Sequence, residues 1–309
     1  MSYNQPGMKR TALLVVVLLA SSAHASFEMM LINDTVKGVI HRVDPQTDAY
    51  LGSFGSGWVG NQSFALGVDQ GAGEVYFSNS AMNRVIVFDY NSGTYKRSWS
   101  LGLTTFARDI KIIGSRVYVG GGARVEAYTK AGTFIGAATT GITDVWGVAE
   151  SLNGEIVALS RGTSTKVYMF NGNTFASTFT SGSLSGNPYS LIYDQGTNNA
   201  YYSASTGAGD IIYSMNLFSA GPNVALTFGG ARFELAAGHG DIRYATKANG
   251  VTTYIRGATA ISPWTEVRTA TWSQISEAGA IGVVVAPEPA SLIAVGLGLA
   301  AVARRRRRD

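Results

Sequence analysis

Cysteine is absent from this 309-residue chain. Its absence excludes a disulfide framework, a thiolate nucleophile and any zinc site built on cysteine. Histidine is scarce as well. Of three, His24 lies in an N-terminal leader-like segment, which leaves His41 and His239, and neither stands beside a nucleophile signature such as G-x-S-x-G. Charged side chains make up only 14% of the chain. Of the 24 basic and 20 acidic groups, seven basic ones (Lys9, Arg10 and five C-terminal arginines) and two acidic ones (Glu288, Asp309) belong to the terminal segments. Residues 26–286 therefore keep 17 basic and 18 acidic groups. A near-neutral body gives no reason to expect nucleic acid as a partner. No long amphipathic helical pattern occurs. The glycine-rich stretches at 52–60, 120–122 and 207–209 are not followed by Gly-Lys-Ser/Thr, so they read as tight turns and not as phosphate loops.

The two ends carry address signals. Lys9 and Arg10 precede an apolar run from Thr11 to Ala20, and small residues then lead to Ala23-His24-Ala25. A charged start, a short apolar run and an A-x-A site predict a signal peptide over residues 1–25, cut by signal peptidase before Ser26. At the other end Pro287-Glu288-Pro289 is followed by an apolar run, Ala290 to Ala303, and by Arg304, Arg305, Arg306, Arg307 and Arg308. Fourteen residues make a helix of about 21 Å, shorter than a hydrocarbon core of about 30 Å. The arginines would hold its C-terminal end in the cytoplasm, leaving the preceding residues outside the inner membrane. The prolines keep Glu288 in an extended peptide that a protease can reach.

This order of motif, short helix and basic cluster over residues 287–309 resembles the PEP-CTERM sorting tail of Gram-negative bacteria. The resemblance implies export through the inner membrane, processing by exosortase near Pro287 to Pro289, and a place at the cell surface or in an extracellular matrix, with exopolysaccharide a frequent companion of the system.

Between the ends the chain repeats itself. FALGVDQGAGEVYFSNSAMNRVIVFDYNSGTYKRSW starts at Phe64, FARDIKIIGSRVYVGGGARVEAYTKAGTFIGA at Phe106 and VWGVAESLNGEIVALSRGTSTKVYMFNGNTFAST at Val145. Weaker copies begin at Tyr189, Phe233 and Trp272. A period of about 40 to 44 residues, with four short strands and Gly or Asn turns per copy, is the pattern of a β-propeller blade. The copies resemble those of NHL- and YVTN-type propellers. MMLINDTVKGVIHRVD, laid over VYFSNSAMNRVIVFD, supplies the second and third strands of a blade whose inner strand is missing at the N-terminus. The copy at Trp272 supplies an inner strand without the rest. The two ends together predict an all-β, six-bladed propeller over residues 26–286, closed by a shared blade. Ile281 to Val285 then reads as surplus, competing with Phe27 to Ile32 for one place.

Candidate site residues follow from the repeat. Phe64, Phe106, Trp146, Tyr189, Phe233 and Trp272 begin successive copies, and the inner strands should set them around one mouth of the channel, where aromatic faces could stack on sugar rings or simply pack between blades. Arg108, Asp109, Asp144, Asn187, Arg232 and Glu234 belong to the same mouth. Six-bladed propellers resembling gluconolactonase and regucalcin hold a metal ion there, which makes Asp109, Asp144, Asn187 and Glu234 a candidate hard-oxygen set for calcium or zinc. Asp69, Glu150, Asp194 and Glu277 fall at matching points after the inner strands, where carboxylates commonly cap turns. The preferred reading is a non-catalytic binding or matrix protein with polysaccharide as its partner and no cofactor. The alternative is a metal-dependent hydrolase or lactonase at the channel mouth.

Overall fold

Glu74–Asn79 (EVYFSN) and Arg84–Asp89 (RVIVFD) are β-branched and aromatic, and almost wholly buried. Successive strand residues point to opposite faces, so strands covered on both sides must feed two separate cores. Val75, Phe77, Ile86 and Phe88 pack with Met29, Leu31 and Ile40 on one side, whereas Tyr76, Val85 and Val87 pack with Ile110, Val117 and Val119 on the other. Sheets stacked face to face around an axis follow from this.

A computed structural model describes residues 28–58, 65–79, 81–103, 106–151, 153–194, 198–206, 209–216, 223–228, 234–238, 241–255 and 264–285. Among them, 24 strands form six four-stranded sheets. Blade 1 combines β1 (Glu28–Asp34), β2 (Val39–Val43) and β3 (Tyr50–Phe54) with β24 (Ala278–Val285). Blade 2 contains β4 (Leu66–Asp69), β5 (Glu74–Asn79), β6 (Arg84–Asp89) and β7 (Tyr95–Ser100). Blade 3 contains β8 (Asp109–Ile113), β9 (Arg116–Gly121), β10 (Arg124–Thr129) and β11 (Phe134–Ala138). Blade 4 contains β12 (Val145–Glu150), β13 (Ile156–Ser160), β14 (Lys166–Phe170) and β15 (Ser177–Thr180). Blade 5 contains β16 (Asn187–Asp194), β17 (Asn199–Thr206), β18 (Gly209–Asn216) and β19 (Asn223–Phe228). Blade 6 contains β20 (Leu235–Ala237), β21 (Ile242–Lys247), β22 (Gly250–Ile255) and β23 (Thr265–Thr271). The protein body is a six-bladed β-propeller.

The seam corrects the expectation for the C-terminal strand. Ile281 to Val285 is not surplus: it is the second half of β24, the innermost strand of blade 1, and β1 lies second beside it. Both segments are used because residues 272–277 form a connection and not a strand. Trp272 therefore does not begin an inner strand, and Glu277 precedes β24 instead of following it. The buried Asp34 carboxylate holds the seam. It accepts hydrogen bonds from the amides of Val36 (3.0 Å), Lys37 (2.9 Å) and, across the junction, Ser276 (2.7 Å), and it lies 3.3 Å from His41 Nε2. Although burial alone would raise its pKa, these bonds hold it below the ordinary carboxylate value. Burial lowers the pKa of His41.

Turns between third and fourth strands repeat one device. Asp44, Asp89 and Asn171 each accept, through Oδ1, the amides two and three residues on, at 2.7 and 3.2 Å, 3.0 and 2.8 Å, and 2.9 and 3.0 Å. A residue with positive φ, respectively Asp48, Gly93 and Phe175, closes each turn. The side-chain oxygen takes up amides that the turn would otherwise leave unpaired. Around the channel, close approach requires glycine. A Cβ on Gly147 of β12 would stand 2.8 Å from the Leu191 nitrogen of β16, and one on Gly282 of β24 would stand 2.3 Å from Leu66 Cδ2 of β4.

Candidate binding face

The middles and ends of the six inner strands line the channel. Leu66 to Val68, Lys111 to Ile113, Ala149 and Glu150, Ile192 and Tyr193, Ala236 and Ala237, and Ile281 to Val283 enclose a cavity of about 320 Å³. Among the described residues its charged side chains are Lys111 and Glu150. Burial pushes the Glu150 carboxyl upward.

Within the ring, inner-strand amides that face the next blade need acceptors. Asp109 serves one: its Oδ2 accepts the Val148 amide at 2.7 Å and its Oδ1 accepts the Ile110 amide at 2.8 Å. Lys111, two residues on and hence on the same face, lies 3.7 Å from Asp109 Oδ1. Ser190 serves another between blades 5 and 6, accepting the Leu235 amide at 3.1 Å while donating to Glu234 Oε1 at 2.8 Å. Burial raises the Asp109 pKa, with Lys111 opposing. Burial and then the charge of Asp109 raise that of Glu234 well above the ordinary value.

Of the four candidate oxygen ligands, Asp109 and Glu234 thus stand near enough for the charge of Asp109 to act on Glu234. The structure sends the others elsewhere. Asp144 Oδ2 accepts a hydrogen bond from Trp146 Nε1 at 2.7 Å, and Asn187 sits exposed at the start of β16, paired with Ser205. Among the described residues, no group of three or more His, Asp or Glu side chains is arranged to hold a metal ion.

The beginnings of the inner strands in blades 3, 4 and 5 carry a second cluster. Trp146 is its middle. The Arg108 guanidinium lies over its ring at 4.1 Å from the centroid and that of Arg161 at 5.7 Å, while Tyr189 meets it edge-on at 5.9 Å. Arg108 also approaches Phe106 at 5.8 Å, and Phe106 is 41% exposed. Of the sequence candidates, Tyr189 therefore meets Trp146 directly and Phe106 is joined to it through Arg108, with Asp144 tied to Trp146. Trp272 is buried at the seam, where its indole N–H donates to the Asp48 carbonyl at 2.9 Å. Phe64, Phe233, Arg232 and His239, the leader residues Ala23, Ala25 and Ser26, and the tail residues Pro287 to Pro289 and Arg304 to Arg308 lie outside the described residues.

Of the four acids at matching points, Asp69 accepts the Ala72 amide at 3.2 Å and pairs with Lys130 at 2.5 Å, and Asp194 pairs with Arg243 at 3.0 Å. Arg161 is the site residue that the repeat did not single out. It follows β13 and also lines a groove of about 860 Å³ between blades 4 and 5.

The same fold recurs at low sequence identity. A chain in a nidogen/laminin complex matches with a TM-score of 0.64 at 15% identity, covering 84% of this chain and 98% of that one. A protein of unknown function from Bacteroides caccae matches at 0.60 and 12%, covering 84% and 99%. Hydrazine synthase from Kuenenia stuttgartiensis matches at 0.57 and 15%, covering 76% and 80%. With 1370 similar chains among solved structures, the fold selects no single function. No curated protein matches in sequence.

The protein is thus a six-bladed propeller, and the comparison with families specifies its route. Residues 285–308 match the PEP-CTERM protein-sorting motif. That motif marks an exported protein that passes the membrane, is sorted by exosortase and reaches the cell surface. Among the described residues no helix is long and apolar enough to cross a membrane.

Proposed function

We propose that the propeller is a non-catalytic binding module of the cell surface or extracellular matrix, associated with exopolysaccharide and recognising it through the face around Trp146. The reading rests on one arrangement: a half-buried indole bracketed by two guanidiniums and flanked by Tyr189 and the exposed Phe106. Blade packing needs apolar contact between sheets. It does not need arginines laid on aromatic rings at the opening of a channel. Such layers present planar, rigid surfaces rimmed by hydrogen-bond donors, which suit a hydroxyl-bearing ligand. In this reading the mature protein begins at Ser26 after signal peptidase, and the tail from Pro287 is the exosortase substrate.

A hydrolase at the channel is supported less well. The Asp109 and Glu234 carboxyls are already engaged by the Val148 and Ile110 amides, Lys111 and Ser190, an arrangement that ties inner strands together.

The test is co-sedimentation of the exported protein with exopolysaccharide extracted from the producing cells, comparing wild type with Trp146→Ala. We expect at least a tenfold loss of retention in the variant, about the effect of removing a stacking anchor. Equal retention of the two, or none by wild type, contradicts the assignment.

A further inference from the structure

Arg161 belongs to two features at once. It approaches Trp146, and it lines the groove between blades 4 and 5. The groove is bounded by the β13–β14 connection (residues 161–165), the β15–β16 connection (184–186) with the first residue of β16, the end of β17 and the middle of β18. Its walls are set by structure: Thr165 and Leu184 form a β-bridge, and Thr165 Oγ1 donates to the Gly186 carbonyl at 2.7 Å.

The lining has an unusual chemistry. Thr163, Ser164, Ser185, Ser205, Thr206 and Tyr213 contribute hydroxyls, Asn187 an amide and Arg161 a guanidinium, and among the described residues none lining the groove is acidic. Hydroxyls and amides both donate and accept, so they exchange readily with the hydroxyls of a sugar chain. The guanidinium offers a planar fork matched to a carboxylate. Asp144, the acid beside the Trp146 cluster, accepts from the Trp146 indole, and Arg108 adds a second cation there.

We infer that this groove binds an acidic glycan, a chain whose sugar carboxylates are read by Arg161 while the hydroxyl-lined walls hold its rings and the Trp146 cluster continues the track towards blade 3. The inference rests on the binding-module reading and names the ligand class for that same face. A carboxylate-rich peptide would share the attraction to Arg161 but would have little use for the hydroxyl walls.

The test uses the full chain in detergent, with oligogalacturonate, its carboxyl-reduced counterpart and poly-L-glutamate as probes in calorimetric titration. Wild type should bind oligogalacturonate, and its affinity should fall about tenfold or more with the reduced chain and with Arg161→Gln, in line with loss of a charge-assisted pair. Arg161→Lys should recover part of the loss, and Thr163→Val, which keeps every charge, should weaken the glycan but not polyglutamate. Equal binding of the acidic and reduced chains overturns the carboxylate assignment while leaving the binding module intact. Polyglutamate binding at least as tightly, unaffected by Thr163→Val together with an unaffected glycan, identifies an anionic peptide and overturns the glycan. Binding of none of the probes, with the extracted exopolysaccharide still retained, also overturns it. Loss of that retention as well removes the binding-module reading.

Discussion

Glu74 and Glu234 are both carboxyls in β-strand surroundings, yet their neighbours drive them in opposite directions. Arg97 meets Glu74 through two hydrogen bonds of 2.8 and 2.6 Å, Tyr76 adds a third at 2.8 Å, and Lys96 stands 3.1 Å away. The Arg97 hydrogen bonds above all hold the Glu74 pKa at about 2, against an ordinary 4.5. A depressed carboxylate contributes stability above its unfolded value and loses it as pH falls through the folded one. We therefore expect roughly 2–3 kcal/mol to disappear between pH 4.5 and 2, the exposure of Arg97 being allowed for. Glu234, raised by burial and by Asp109, obeys the opposite sign: its stability contribution is present below the ordinary value and lost as pH rises through the raised one. Glu234→Gln should accordingly melt higher than wild type at neutral pH, the gap closing as pH falls towards 4.5. Thermal melts across this range check both, and a gap independent of pH would contradict the placement of Glu234. At this scale the sequence was partly legible. Asp109 and Glu234 were legible as candidate carboxylates of the ring, whereas Lys111, two residues after Asp109 and so on its face, was not singled out. Asp144 was misleading, because a carboxylate near a channel suggests a cation, whereas the indole N–H of Trp146 two residues away is a ready donor.

Elements are held apart or together by the smallest side chains and by repeated turns. Gly147 lets β12 lie against β16, and an added methyl would meet both the Leu191 nitrogen and its Cβ, the latter at 2.5 Å. Backbone must shift to make room, so Gly147→Ala should cost about 1–3 kcal/mol, read as a lower urea midpoint. A midpoint equal to wild type would show that the inner strands have slack there. The strands and turns of blades 2, 3 and 4 were visible in the sequence because alternation and Gly or Asn turn residues recur at each copy. Arg161 was not visible. It sits in a connection whose counterpart in blade 3 is Gly122-Ala123, so no repeat marks it. Its role comes from two blades packing side by side, a relation that linear spacing does not encode. The seam was half legible: the shared blade followed from the missing inner strand, but the place of Ile281 to Val285 depended on residues 272–277 forming a connection.

At the scale of the molecule, ring closure leaves two faces that differ in chemistry. The face at the beginnings of the inner strands carries the Trp146 cluster and, from the β13–β14 connection, Arg161, whereas the other ends of the blades carry turns such as Gly114-Ser115, Asn153-Gly154 and Asn171 to Asn173, which line a separate polar hollow. A sorting motif that brings the chain to the cell surface makes an outward recognition face useful, and among the described residues only one of these faces layers arginine on tryptophan. The measurement that tests this most directly is hydrogen exchange of the exported protein with and without the exopolysaccharide of its own cells. Slower exchange confined to residues 144–147, 161–165 and 184–190 is the predicted footprint. Slower exchange at 114–116, 153–155 and 171–173 instead, with the Trp146 face unchanged, would contradict the account.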